Sequence, residues 1–386
     1  MLDKIRLSVF DNIVNGVIGN DEDLIKALKK TRAFARDPEE LCHYTKDDAG
    51  IKFADTGGLE KVKISFSRKE TKKKNVKSER NQPIIGACLS KGFDRYTSPD
   101  LNNVYSLQDL FKAIKYLIES RKLSRDKLRV VTTRRHLMKL MCIPLNKQPV
   151  DFDVIYWRGL VIFAYNWDEE VKLVPDNIQK MLQYSGYQFE KVVTGKTSRD
   201  NASSFYTVTQ HSVDAANVIY SAEIDCAIAK EPGLQNYVEL KTHSTLLDDK
   251  LKTANKLQRK LMALYCQNKF ISCNYSAMGF RSQDFRLASL KKYTEHELVG
   301  LLDKLPIFLT HSCSLKTKHI FQWYNLVISW LCQRHFDDNE KPHVFKLRFE
   351  RKDELMDSHL AVEPVSDDEA VKTFNKLVPE WFQNFY

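Results

Sequence analysis

No stretch of this 386-residue chain approaches the ~20 consecutive apolar residues that a membrane-spanning helix needs. Nor is Met1-Leu2-Asp3-Lys4-Ile5-Arg6 followed by the apolar segment of a secretory leader, so membrane insertion and secretion are not expected. The chain also lacks any CxxC pair. Its cysteines (Cys42, Cys88, Cys142, Cys226, Cys266, Cys273, Cys313 and Cys332) are scattered, mostly beside apolar residues. That pattern excludes a recognisable zinc framework or disulfide scaffold and points to reduced thiols in the nucleus or cytoplasm. No repeat, low-complexity tract or linker rich in Pro, Gly or Ser marks a boundary, so a single domain over 1–386 is the economical expectation. With 43% hydrophobic residues such a domain can bury a sizeable core.

Positive charge is in modest excess: 60 Lys+Arg against 50 Asp+Glu leave a formal +10, which favours an anionic partner such as nucleic acid. The excess is densest in RKETKKKNVKSER over 68–80, which has almost nothing apolar to anchor it and reads as an exposed basic loop.

Periodicity places the main elements. Ser106 and Asp109 form a candidate capping box for a helix carrying Leu107, Leu110, Phe111, Ile114, Leu117 and Ile118 at helical spacing. Two β-like runs, Asp153 to Trp157 and Leu160 to Tyr165, flank Arg158-Gly159, a hairpin signal. A second helix is expected from Pro175-Asp176 through Met181 and Leu182. Phe205 to Ala229 and Tyr237 to Lys241 read as strands of one sheet, followed by a long helix over Asp248 to Gln267. Further strands are expected at Phe285 to Leu290 and Val344 to Phe349, with a Trp-rich amphipathic helix around Phe321 to Cys332 between them. The sum is an α+β fold: a mixed central β-sheet flanked by helices.

Chemistry is suggested by two short motifs. Side chains alternate along a strand, so Glu223 and Asp225 share one face and Glu239 and Lys241 share a face of the next candidate strand. If those strands pair, three carboxylates and one ammonium converge, and a hard divalent cation, Mg2+ or Mn2+, relieves their repulsion. An Asp followed by Glu-x-Lys on a neighbouring strand is the pattern of PD-(D/E)xK nuclease-like folds, and it suits phosphoryl chemistry. Two readings stand at this level. Alternating charges are commonplace on the wet face of a sheet; against that, Ile224, Cys226, Ile228, Val238 and Leu240 make these flanks apolar, as in an interior sheet where unpaired acids are costly.

More motifs follow in a fixed order: Thr132-Thr133-Arg134-Arg135-His136, then Gly186-Tyr187-Gln188-Phe189-Glu190 just after a helix, then the two acid motifs. Lys260-Leu261 and Gln267 come next, and Gly279-Phe280-Arg281 last. With weaker matches at Leu41-Cys42-His43-Tyr44 and Gly92-Phe93, the chain from about Glu40 to Trp330 resembles the DXO family of RNA decapping nucleases, including relatives that partner the nuclear 5′-3′ exoribonuclease.

The resemblance implies a hydrolase of RNA 5′ ends acting in RNA quality control. It would remove incomplete or unconventional caps, NAD caps among them, or 5′-terminal phosphates, with 5′-3′ exoribonuclease activity in some members. It implies that Glu190, Asp225, Glu239 and the Leu240 carbonyl hold two Mg2+ or Mn2+ ions, with Glu223 binding directly or through water. Lys241 and Gln267 would contact the reacting phosphate or nucleophilic water, and Arg134 would grip a 5′-end phosphate. Arg135 departs from the glycine that many relatives carry there, which leaves end specificity open. Two alternatives remain at this level: an inactive relative that binds RNA or stabilises an exoribonuclease, and a DNA nuclease of the wider group. His136, Trp157, Tyr165 and Trp323 read as structural, while Lys252, Lys256, Arg259 and Lys260 are equally an RNA track or a solvated face.

Overall fold

The computed structural model describes residues 4–9, 33–66, 84–145, 148–195, 203–245, 251–305, 307–309 and 314–386. The basic segment 68–80 lies outside the described residues. In chain order, the elements that position the site are α1 (Gln108–Glu119), β1 (Val130–Thr133), α2 (Arg134–Met141), β2 (Val150–Trp157), β3 (Leu160–Tyr165), α3 (Asn177–Thr194), β4 (Ser203–Val213) and β5 (Ala216–Ile224). They continue with β6 (Cys226–Ala227), β7 (Tyr237–Ser244), α4 (Leu251–Phe270), β8 (Tyr275–Arg281), β9 (Leu287–Thr294) and α5 (Thr317–Cys332).

The hairpin signal at Arg158-Gly159 joins β2 to β3. Both residues have positive φ, 47° and 79°, the left-handed pair that lets a two-residue turn follow the twist of its strands. Ten strands form a mixed sheet in the order Lys4–Arg6, His359–Pro364, His343–Glu350, β2, β3, β1, β5, β4, Arg36–Asp47, Gly50–Phe53. Within it β1 runs parallel to both β3 and β5. A second sheet has the order β9, β8, β7, β6, with β7 parallel to β8.

This division corrects the expectation that Phe205 to Ala229 and Tyr237 to Lys241 share one sheet. Strand β5 pairs with β4 as far as Ile224, opposite Phe205; Asp225 belongs to neither ladder; Cys226 then pairs with Val238 in the second sheet. Burial explains the switch. Ile224 packs with Phe205, Ala222 and Tyr237, whereas Cys226 packs with Phe189, Val193, Val238 and Leu240, so consecutive apolar residues feed two separate cores.

Other boundaries shift for local reasons. Helix α1 buries Leu110, Phe111, Ile114 and Leu117 as expected, but no capping box forms. Ser106 Oγ accepts from the Gln108 N–H and Asp109 is drawn instead to Lys46, 2.6 Å away. The strand expected from Phe285 begins at Leu287, because Phe285 occupies a turn with φ 57°. Helix α5, expected to be amphipathic, is buried on nearly every side; Trp323 and Tyr324 are fully enclosed. Trp157 is likewise in the core. Among the described residues, no helix is long and apolar enough to cross a membrane.

Two buried histidines are held neutral. His136 accepts the Tyr165 N–H at Nδ1 (3.0 Å) and donates from Nε2 to Tyr105 O (3.0 Å), and His211 lies between the Tyr220 and Tyr324 hydroxyls. Burial lowers each to about 3 from 6.5. A depressed pKa contributes stability that is present above 6.5 and is lost as pH falls toward 3, at roughly 1.4 kcal/mol per pH unit for each ring. His211→Gln, which cannot protonate there, should therefore show a shallower fall in stability between pH 6.5 and pH 5 than the unmodified protein. Urea unfolding at both pH values measures the difference; identical pH dependence in the two proteins would contradict it.

Candidate active site

The site assembles where the two sheets meet. Strand β1 ends at Thr133, whose hydroxyl accepts from the His136 N–H and so caps α2, making Arg134 the first helical residue. Parallel pairing sets Thr133 opposite Ser221, which brings Arg134 alongside the end of β5 and Glu223. Two residues on, Asp225 spans the gap between the sheets and accepts the Leu240 N–H of β7 at 2.7 Å. The expected common face of Glu223 and Asp225 along one strand is thus replaced by a strand end and a crossover.

Alternation on β7 works as anticipated: Val238 and Leu240 enter a core with Phe189 and Val193 of α3, and Glu239 and Lys241 point the other way. Helix α4 lies over that other face. Lys260 Nζ donates to Thr242 O and Gln267 Nε2 to Glu239 Oε1, each at 2.5 Å. Seven helical residues rise ~10.5 Å and three strand residues span ~10 Å, so the two contacts keep step only because α4 runs antiparallel to β7.

Glu239 is the hub. It is 1% exposed and its carboxylate accepts from three side chains: Lys241 and Gln267 at Oε1, and Arg134 Nη1 at Oε2 (3.2 Å). Burial alone would raise its pKa, but the charges of Lys241 and Arg134 and the Lys241 hydrogen bond outweigh it, and Glu239 is held below the usual carboxylate range. Lys241 responds in kind: burial acts to lower it, and Glu239 and Asp225 together raise it.

The other acids are relieved only in part, Asp225 by Lys241, Arg134 and the Leu240 N–H, Glu190 by Lys241, and Glu223 by Arg135. Asp225 is raised to about 7 by burial and the charge of Glu239. Glu190 is raised well above its ordinary value by burial, then by Asp225 and Glu223. It lies inside α3 and not after a helix as expected, because the Asp176/Gln179 capping box starts a helix that continues to Thr194. Phe189, one residue before it, is seated so closely on β8 that a Cβ at Gly279 would come within 2.6 Å of its ring.

The paired arginines divide their roles. Arg134 is buried and both ends of its guanidinium are taken, by Glu239 and by Glu223 O (2.6 Å). That differs from the expected grip on a 5′-end phosphate. Arg135 is the exposed one, 3.5 Å from the half-exposed Glu223 carboxylate. Beyond Lys241 the wall is basic: Lys260 is lowered to about 8 by burial and by the charges of Lys241 and Arg281, and the charges of Lys260, Arg281 and Lys256 also reach His243. Arg259, by contrast, is used structurally and donates to Leu145 O, so α4 presents no uniform solvated face. Sequence reasoning missed Tyr96, which approaches Tyr187 on α3 from a loop with no periodicity of its own.

The donor set suits a hard divalent cation: every acid offers oxygen, the acids outnumber the cations that touch them, and burial with mutual repulsion opposes ionisation of Glu190 and Asp225, which a bound cation would favour. Among the described residues, no group of three or more His, Cys, Asp and Glu is drawn into a finished metal cage. The fit is therefore one of charge and donor type.

A family model described as RAI1 like PD-(D/E)XK nuclease matches residues 36–383. The decapping nuclease RAI1 of Kluyveromyces lactis is 24% identical over 376 residues, covering 89% of this chain and 91% of the relative. Among solved structures, Rai1 of Scheffersomyces stipitis in complex with (3′-NADP)+ and calcium ion aligns with a TM-score of 0.74 at 20% identity, covering 92% of this chain and 96% of that one. Rai1 of Candida albicans in complex with pU5-Mn2+ aligns at 0.72 and 20% identity, covering 92% and 98%. The fold is shared with these structures, and with the family match spanning nearly the whole sequence, the chain belongs to the RAI1-like PD-(D/E)XK nuclease family.

Proposed function

We propose that the protein is a metal-dependent hydrolase of RNA 5′ ends that removes incomplete or unconventional caps, NAD caps among them, or 5′-terminal phosphates. The carrying observation is the crowding of the acids Glu190, Glu223 and Asp225 around Glu239, in which burial and mutual repulsion raise Glu190 and Asp225. Two ions, Mg2+ or Mn2+, would be held by Glu190, Glu223, Asp225, Glu239 and the Leu240 carbonyl. A divalent ion held there would supply an activated water and would neutralise charge developing on phosphate. The chain's own residues do the rest. Arg134 fixes the Glu239 carboxylate and the Glu223 backbone, Lys241 and Gln267 present N–H donors where a phosphate oxygen would lie, and Lys260 and Arg281 attract the RNA backbone. The Kluyveromyces lactis relative bears the name decapping nuclease, and the yeast structures hold a dinucleotide with calcium and a 5′-phosphorylated uridylate with manganese; all support this reading. A partnership with a 5′-3′ exoribonuclease, which would consume the 5′-monophosphate RNA left behind, belongs to the same proposal.

NAD-capped, incompletely capped and 5′-triphosphate RNA are expected to release a 5′ product with Mn2+ or Mg2+ and none with EDTA; failure with every substrate would refute the proposal. The competing reading, an inactive RNA-binding relative, is favoured by one feature, the occupation of Glu239 by three protein donors. Calorimetric titration with Mn2+ separates the two, since that relative has no need to bind the ion.

A further inference from the structure

Two adjacent arginines hold Glu223 by different atoms. Arg134 is buried and donates to its carbonyl oxygen at 2.6 Å, whereas Arg135 meets its carboxylate at 3.5 Å with both side chains open to solvent, 48% and 40% exposed. The backbone of Glu223 is thus pinned and its carboxylate is free to turn. An ion pair as exposed as this is weak, so either partner readily exchanges it for a stronger one. Arg135 keeps its place when it does so: it sits in the first turn of α2, and the Tyr105 ring backs its guanidinium at 5.9 Å, held in turn by a 3.0 Å hydrogen bond from its hydroxyl to Glu170.

Cations flank the acids on two separate sides. On one, Lys260 and Arg281 stand beyond Lys241, and with Lys256 their charges reach His243. On the other, the charge of Arg135 reaches the hydroxyls of Tyr105, Tyr187 and Tyr206, and the charge of Glu223 reaches the last two. Tyr206 is paired with Glu223 across β4 and β5 and stacks on Tyr44 at 5.1 Å, so ordered side chains wall this flank. A 5′ end has the same asymmetry. The RNA chain presents a phosphate at each nucleotide, which suits a row of cations; on the far side of the reacting phosphate only the outer phosphates remain, and a single guanidinium can take one in its planar fork.

We propose that Arg135 determines specificity for 5′ ends that carry further phosphate beyond the reacting one, as a 5′-triphosphate does: its guanidinium rests on Glu223 in the metal-free protein and pairs with an outer phosphate once the Glu223 carboxylate turns to a divalent ion. The inference rests on the RNA 5′-end reading and assigns a task to a cation that reading leaves unused.

Binding is measured by fluorescence anisotropy on the full chain in Mn2+, with 3′-labelled oligoribonucleotides of one sequence. They carry either a 5′-triphosphate with a methylene-bridged α,β linkage or a 5′-monophosphate, and phosphorothioate linkages block degradation of both. The unmodified protein should hold the triphosphate end more tightly. Arg135→Ala should weaken that end by about 10- to 100-fold and leave the monophosphate end nearly unchanged, so that the preference disappears. Arg135→Lys, a point charge without the fork, should restore part of it. Arg135 is exposed, so both variants should keep the Tm of the unmodified protein. No preference in the unmodified protein, or one that survives Arg135→Ala, overturns the proposal; equal weakening of both ends does so too, since that marks a general attraction for anions.

Calorimetric titration with Mn2+ alone reads the exchange. Arg135→Ala should tighten the ion by up to about fivefold, and the same change made in Glu223→Gln should not. Equal tightening in both backgrounds reports only a long-range field and overturns the exchange. Neither measurement needs turnover. A preference lost in Arg135→Ala supports the assignment even if no 5′ end is hydrolysed, and normal hydrolysis with an unaltered preference removes Arg135 while leaving the hydrolase reading intact.

Discussion

Glu239→Gln is expected to lower RNA 5′-end hydrolysis by about 1,000-fold or more and to destabilise the fold at the same time. Both effects follow from the same carboxylate. As a metal ligand it would lose its charge and much of its affinity for a hard cation. As the shared acceptor of Arg134 and Lys241 it would leave a buried guanidinium and a partly buried ammonium without their counter-charge. Removing one partner of a buried ion pair typically costs about 3–5 kcal/mol. Glu239 is 1% exposed, so solvent cannot offset that loss. Turnover of NAD-capped RNA and the urea midpoint measure the two effects separately. Turnover within tenfold of the unmodified protein would remove Glu239 from the catalytic centre.

Arg134→Met should be nearly as damaging, but through structure. A residue whose main task is gripping a phosphate would, when lost, raise KM and leave stability largely unchanged. The geometry dictates otherwise, because the guanidinium is 7% exposed and spends its donors on Glu239 and on Glu223 O. The expected result is a loss of about 3–5 kcal/mol in stability and a fall in kcat that exceeds any change in KM. Arg134→Lys should rescue only a small part, since an ammonium cannot reach two acceptors in a planar fork. A raised KM with an unchanged unfolding midpoint would restore the phosphate-gripping role to Arg134.

Much of the fold was legible where the signal was local. Arg158-Gly159 specified its hairpin because two consecutive positive φ angles favour few residue types. Pro175-Asp176 announced the start of α3 because the signals of a helix start are local, and there Asp176 closes a capping box with Gln179. Where α3 ended was not legible: the motif from Gly186 to Glu190 is expected just after a helix, yet Phe189 and Val193 are buried against the second sheet and carry the helix through it. The failed capping box at Ser106 and Asp109 has the same origin, a distant Lys46 competing for the acid.

By itself the sequence determined which chemistry was available: Glu190, Glu223, Asp225, Glu239, Lys241 and Gln267 are oxygen and nitrogen donors in an order that resembles a nuclease family. It also determined that Glu239 and Lys241 share a face, since strand alternation depends only on position. Tertiary structure alone decided the rest. It put the chain into a second sheet at Asp225, set α4 antiparallel to β7 so that Gln267 meets Glu239, and brought Tyr96 to Tyr187. It also turned Arg134 inward and left Arg135 outside. The physical reason is common to these cases: partners far apart in the chain compete for the same donors and the same buried surface, and which of them wins is settled only once the cores on either side have packed.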